Sequence, residues 1–231
     1  MMYPEHLLLS SELRQAHASS WQAIGQPGDF FTGAERFAIV EAARNAATCD
    51  LCRRRKEALS PYSIVGEHDG PSSLPDNIVD LIHRIRSDPG RLTKTWFDAV
   101  TADDLTAQKY VEIVGVVTIS VIIDTLHQAM DLTLPKLPEP SAGEPRGQLN
   151  LDAVDVGGWV PVMDAPADLA EHGLPNVPNI ARSMGLVPSA VKLFFTAFQP
   201  HYSLSNINLS ISQTQAEFVA ARVSSINECY Y

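Results

Sequence analysis

The sequence predicts an all-α protein, and three observations lead there. No segment sustains the apolar–polar alternation of a half-buried strand between turn signals. Apolar residues recur instead at helical spacing. Thr32-Gly-Ala-Glu35, ahead of RFAIVEAARNAA, is a T-x-x-E capping box, in which the Thr and Glu side chains satisfy free N–H groups of a first helical turn.

The helix opened by that box places Phe37, Val40 and Ala43 on one face, with Arg36 and Arg44 elsewhere, and ends just before Cys49. A second helix is expected from CDLC through RRRKEAL to Ser60-Pro61, where Pro61 helps end it. The loop SPYSIVGEHDGPSSLPD follows, punctuated by Gly and Pro. Helices are then expected over Asn77 to Arg86, Leu92 to Val100 and Ala107 to Met130. The last is the most apolar element and is expected to be buried on most sides. From Pro135 the chain turns Pro- and Gly-rich (LPKLPEPSAGEPRG, GGWVPVMDAPADL, GLPNVPN) and reads as connection rather than core. Helical pattern returns over Pro188 to Phe198, and a final amphipathic helix begins near Ser212.

The 231 residues, 45% hydrophobic and 19% charged, are of ordinary globular composition and suffice for one large domain or two small ones. A formal charge of −10 repels phosphate backbones and anionic membranes, so neither nucleic acid nor membrane is an expected partner. The N-terminal MMYPEHLLLSSELRQ lacks the basic and apolar regions of a signal peptide. The longest apolar stretch, Ile113 to Ile123, falls short of the roughly 20 residues of a membrane span. The expected location is the cytoplasm, where a Cys-x-x-Cys is more often catalytic or metal-binding than structural.

Residues 49–56 read CDLCRRRK. With Cys49 at a helix N-cap and Cys52 one turn on, both sulfurs would lie near unpaired N–H groups and the positive end of the helix dipole, which favours thiolate. Arg53, Arg54, Arg55 and Lys56 add positive charge, or form a solvated helix face. A thiolate attacks a peroxide O–O bond, and a neighbouring thiol condenses the resulting sulfenic acid to a disulfide. The alternatives are two thiols packed as small hydrophobes and half of a metal site. A zinc site needs four ligands, and no second Cys or His pair at short spacing is visible, so no metal or other cofactor is expected.

A self-comparison that lays Cys229 over Cys49 aligns SQTQAEFVAARVSSINEC with TGAERFAIVEAARNAATC, placing Ser212 and Gln215 on the Thr32 and Glu35 of the capping box. On these residues the chain resembles the alkylhydroperoxidase (AhpD-like), or carboxymuconolactone decarboxylase, superfamily, whose redox members carry Glu, eleven residues, then Cys-x-x-Cys-x-x-x-His. The tract DLTAQKYVEIVGVVTISVIIDTLHQAMDL is similar to the long helix after the cysteine helix in that family. The likeness covers most of residues 10–134 and 175–231. It implies an all-α fold of two related units: 1–134 with the Cys-x-x-Cys, a connection over 135–174, and a partial second unit over 175–231.

The two units keep different parts of the motif. Glu217 stands twelve residues before Cys229, as the family requires, but the sequence ends at Tyr231, one residue before a second cysteine. Cys49 and Cys52 are both present, yet Phe37 takes the family's Glu position and Lys56 its His position. The resemblance implies a thiol-dependent, antioxidant hydroperoxide reductase with Cys52 attacking and Cys49 resolving, a small hydroperoxide as substrate, a dithiol or lipoyl-type electron donor, and a homo-oligomer. Glu41 on the preceding helix, or Glu112 and His127 on the long apolar helix, are the candidates for the missing relay, since acidic and His groups within an apolar helix need partners. Glu217 and Cys229 would be remnants. The competing functions are a non-catalytic helical assembly protein and a cofactor-free lyase.

Overall fold

The computed structural model describes residues 2–102, 104–165, 177–202 and 210–226. Among them the protein is all-α: the helices are α1 (Ser11–Ile24), α2 (Gly33–Ala46), α3 (Asp50–Glu57), α4 (Asp76–Ser87), α5 (Lys94–Val100), α6 (Ala107–Ala129), α7 (Asn179–Met184), α8 (Pro188–Phe198) and α9 (Gln213–Ile226). Extended pairing among the described residues is a single bridge between Val154 and Val162.

Local chemistry sets the helix starts. Ser10, Thr32, Thr93 and Thr106 each accept a hydrogen bond from a first-turn N–H, satisfying donors that have no partner within the helix. The Thr32–Glu35 capping box forms reciprocally. So does its counterpart ahead of α9, where Ser212 N–H donates to Gln215 Oε1 at 2.9 Å and Gln215 N–H to Ser212 Oγ at 3.3 Å. The helix begun at CDLC ends at Glu57, three residues before Ser60. Ala58 turns extended, and Arg91 donates to the carbonyls of Arg55 and Ala58 at 2.8 and 2.7 Å, which caps the helix end early.

The axis of the fold is α6, whose Ile113, Val116, Ile119 and Ile123 are buried. It packs against α1, α2, α4 and α8, and residues of all five helices share one hydrophobic core. By length and composition α6 could also cross a bilayer; in this fold its apolar residues mostly face other helices.

Two expectations change here. Arg36 and Arg44, placed off the Phe37–Val40–Ala43 face, are not left to solvent, because each is drawn inward by a carboxylate of α6: Arg36 Nε lies 3.6 Å from Glu112, and Arg44 makes a two-pronged ion pair to Asp124 at 2.7 and 2.8 Å. The Pro-rich stretch after residue 135 is also more than connection. It is strapped across the α1–α2 turn: Trp21 Nε1 donates to Lys136 O, Arg44 to Pro135 O, and Ser141 N–H to Gly25 O. Leu137, Leu149 and Val160 pack against the core. Near its prolines the strap is held through the carbonyls of Pro135 and Lys136, and further on it donates the N–H groups of Ser141, Arg146 and Gly147 to the carbonyls of Gly25, Gly28 and Asp29.

Candidate functional site

The site forms where α3, the loop after it, and α4 converge. Cys49 is the N-cap of α3 and has no side-chain capping bond, so the loop supplies one: the carboxylate of Asp69 accepts from Asp50 N–H at 2.7 Å. In return Asp69 N–H donates to Cys49 Sγ at 3.5 Å. Arg55 ties the same loop down through Ile64 O at 3.1 Å. These bonds bring His68 onto the start of α3. Gly70 permits the path: its φ is +93°, and a Cβ there would lie 2.4 Å from Asn45 Nδ2.

From the other side α4 contributes Asp80 and His83, three residues apart and therefore on neighbouring positions of one face. His68 Nδ1 lies 3.5 Å from Cys49 Sγ and 3.7 Å from Cys52 Sγ, while His83 Nδ1 lies 3.3 Å from Cys52 Sγ. The two imidazoles face each other at 4.0 Å between ring centroids. Cys49, Cys52 and His83 are 2%, 3% and 1% exposed, and Leu51 and Ile64 seal the thiols on the apolar side.

A second layer fixes His68. Its Nε2 lies 2.9 Å from Asp80 Oδ1, and Asp80 in turn is ion-paired to Arg55 and Arg84. With a carboxylate at Nε2, that nitrogen carries the proton and Nδ1 is the atom presented to sulfur. Burial pushes the Asp80 carboxyl up, but His68, Arg84 and Arg55 outweigh it and hold it well below the usual range. Burial likewise disfavours charge on His68, yet the bonds to Asp80 and the two sulfurs raise it to about 10. His83 is held down at about 4 by burial and then by the neighbouring charge of His68. Burial raises the Cys49 thiol, but the N–H of Asp69, the backbone of Cys52 and His68 together bring it below its ordinary value.

A cleft of about 540 Å³ opens on the solvent side, with Cys49 and Cys52 at its floor and Lys56, Arg86 and Gln128 among its walls. Of the expected cationic cluster, Arg53 and Arg54 are spent on exposed ion pairs to Asp50 and Glu57, whereas Arg55 is half-buried against Asp80.

The substitute relay expected on α6 is not brought to the sulfurs. Glu112 accepts from the N–H groups of Asp29 and Phe30 at 3.1 and 2.6 Å and faces Arg36, pinning the turn before α2. The ring nitrogens of His127 lie against the carbonyls of Ile123 and Met2, and its ring stacks on Tyr3 at 4.5 Å. Glu112 is held through Oε2, while its buried Oε1 faces Arg36 without a hydrogen bond, and His127 is paired at both ring nitrogens; neither contacts Cys49 or Cys52. Glu41 is half-buried on α2, and the side chains and loop N–H found against the sulfurs are those of His68, His83 and Asp69, not Glu41. Glu217 accepts from Gln213 at 2.6 Å on α9, and Cys229 lies outside the described residues.

His68, Asp80 and His83 are the residues that sequence reasoning missed. One signal was present: His83 falls among Val79, Leu81 and Ile82 on the buried side of α4, where a His needs a partner. His68 sits in a loop, where no periodicity marks a residue as inward-facing.

Cys49, Cys52, His68 and His83 also make up a donor set able to hold a metal ion, with all four ligand atoms within 4.8 Å of one another. Comparison with known proteins adds no relative: no family model, no curated protein and no solved structure matches the chain.

Proposed function

We propose that the chain is a thiol-dependent hydroperoxide reductase of the AhpD-like kind, with Cys49 and Cys52 as its redox pair and His68, oriented by Asp80, in place of the family's relay. One observation carries the reading: a single imidazole nitrogen lies within 3.7 Å of both sulfurs while its other nitrogen is held by a carboxylate. That arrangement can take a proton from one thiol and return it to the leaving oxygen.

The steps balance as follows. The Cys52 thiolate attacks one oxygen of the hydroperoxide; the O–O bond breaks, and the departing alkoxide leaves as the alcohol with a proton from His68. Cys52 is then a sulfenic acid. Cys49 attacks that sulfur, an S–S bond forms, and the displaced hydroxide leaves as water. The pair has lost two electrons and the peroxide has gained them. A dithiol or lipoyl-type donor restores the thiols by exchange. The sulfurs lie within 4.8 Å, so side-chain rotation toward the roughly 2 Å of a disulfide closes the pair.

The test is hydroperoxide consumption with a dithiol donor. Cys52→Ser is expected to abolish turnover and Cys229→Ser to leave it nearly intact. His68→Gln is expected to lower it by about 10²–10⁴-fold, and Asp80→Asn, which acts through His68, by less. Turnover unchanged in both Cys52→Ser and His68→Gln, or absent from the wild type with every hydroperoxide and dithiol tried, would sink the reading.

A further inference from the structure

We infer that Cys49, Cys52, His68 and His83 form a tetrahedral binding site for a divalent metal ion of the zinc class. The geometry is that of a coordination shell. Zinc–sulfur bonds of about 2.3 Å and zinc–nitrogen bonds of about 2.0–2.1 Å at tetrahedral angles place sulfur and nitrogen about 3.5–3.6 Å apart. Three of the four S···N separations at the site are 3.3, 3.5 and 3.7 Å, and every pair of the four ligand atoms, the Cys49–His83 pair included, falls within 4.8 Å. An ion at their centre therefore requires little movement of the backbone.

The donor chemistry selects the ion. Two thiolates and two imidazoles are soft to borderline ligands, suited to zinc and poor for calcium or magnesium, which take oxygen. Two thiolates also neutralise a divalent charge, which a buried site requires.

The surroundings are those of a metal centre as well. Asp80 at Nε2 of His68 leaves Nδ1 facing the sulfurs, the carboxylate–histidine arrangement that orients metal-bound imidazoles. The N–H of Asp69, directed at Cys49 Sγ, stabilises charge on that sulfur. Cys49 and Cys52 sit at the start of α3, His68 on the loop and His83 on α4. One ion would thus clamp three segments, and its binding energy would add to folding. Four protein ligands leave no open position, so the ion holds structure and does not itself bind substrate.

The site stands on its four ligands alone. Its consequence for function rests on the redox reading: metal and hydroperoxide compete for the same sulfurs. Two bound thiolates, one hydroperoxide and two protons give the disulfide, the alcohol and water, with the ion released.

The test uses the full chain, reduced and stripped with a chelator, titrated with Co²⁺ as an optical probe and then with Zn²⁺. One equivalent of Co²⁺ is expected, with thiolate-to-metal charge transfer and tetrahedral ligand-field bands, displaced by one equivalent of Zn²⁺. Cys229→Ser should keep that equivalent. His68→Gln with His83→Gln should lose it while circular dichroism stays helical, and Cys52→Ser should lose the tetrahedral bands. Zn²⁺ should raise the melting temperature of the wild type and not of the double His variant. Wild type without stoichiometric uptake, octahedral bands only, or uptake unchanged in the double His variant would each overturn the inference. Hydroperoxide consumption by the same stripped protein separates the two readings. Turnover without metal uptake overturns the metal site and keeps the reductase; uptake without turnover does the reverse.

Discussion

At the scale of single residues, the fold contains two histidine clusters with different physics. At the thiols, His68 has carboxylate and sulfur partners that favour its charge. His17 has the opposite setting: its ring is fully buried, with Tyr3 Oη at Nδ1 and His201 Nε2 at 2.7 Å. Burial, then repulsion from His201 and His127, hold it down at about 4, against an ordinary value of 6.5. The folded pKa of this base is depressed, so its contribution is harmless above pH 6.5. As pH falls from 6.5 towards 4 the unfolded chain binds a proton that the folded chain refuses, and stability is lost. Unfolding free energies from denaturant titrations at pH 7 and pH 5 are expected to differ by about 1–2 kcal/mol from this residue, and His17→Gln should flatten that slope. A slope unchanged by the substitution would show that His17 does not govern the acid limit. Little of this was legible in the sequence, because burial of His17 depends on Tyr3 and on His201, 184 residues away.

At the scale of elements, the capping box, the apolar rhythm and the turn residues placed α2, α4, α5, α6 and α8 to within a few residues, since those signals are local. The Cys-x-x-Cys was legible for the same reason. What completes it was not: Asp69 and His68 come from a loop whose path is fixed by tertiary bonds, and Glu112 and His127, conspicuous on apolar α6, are satisfied by partners remote in sequence. The loop path gives a prediction of its own. Gly70→Ala places a Cβ against Asn45 at positive φ, a strain of about 1–2 kcal/mol. The expected outcome is a lower melting temperature together with faster alkylation of Cys49 and Cys52, as His68 and Asp69 are drawn off α3. Unchanged alkylation would mean that the loop does not shield the sulfurs.

At the scale of the whole molecule, one core built on α6 carries α1, α2, α4 and α8, and the thiol site lies beside it, built on α3 and α4. Helices supply rigidity and the loop after α3 supplies chemistry, a common division of labour. The all-α class was legible because helical periodicity runs through the chain; the strap after Pro135 was not, because Pro-rich composition signals irregular backbone without saying what it covers. The central claim is that Cys49 and Cys52 act as one redox unit. It is tested most directly by treating chelator-stripped, reduced protein with one equivalent of hydroperoxide, then alkylating and weighing the intact chain and its peptides. The account predicts loss of two hydrogens, with Cys49 and Cys52 protected together in one disulfide and Cys229 still open to alkylation. Both cysteines freely alkylated after oxidant, or Cys229 consumed in their place, would contradict it.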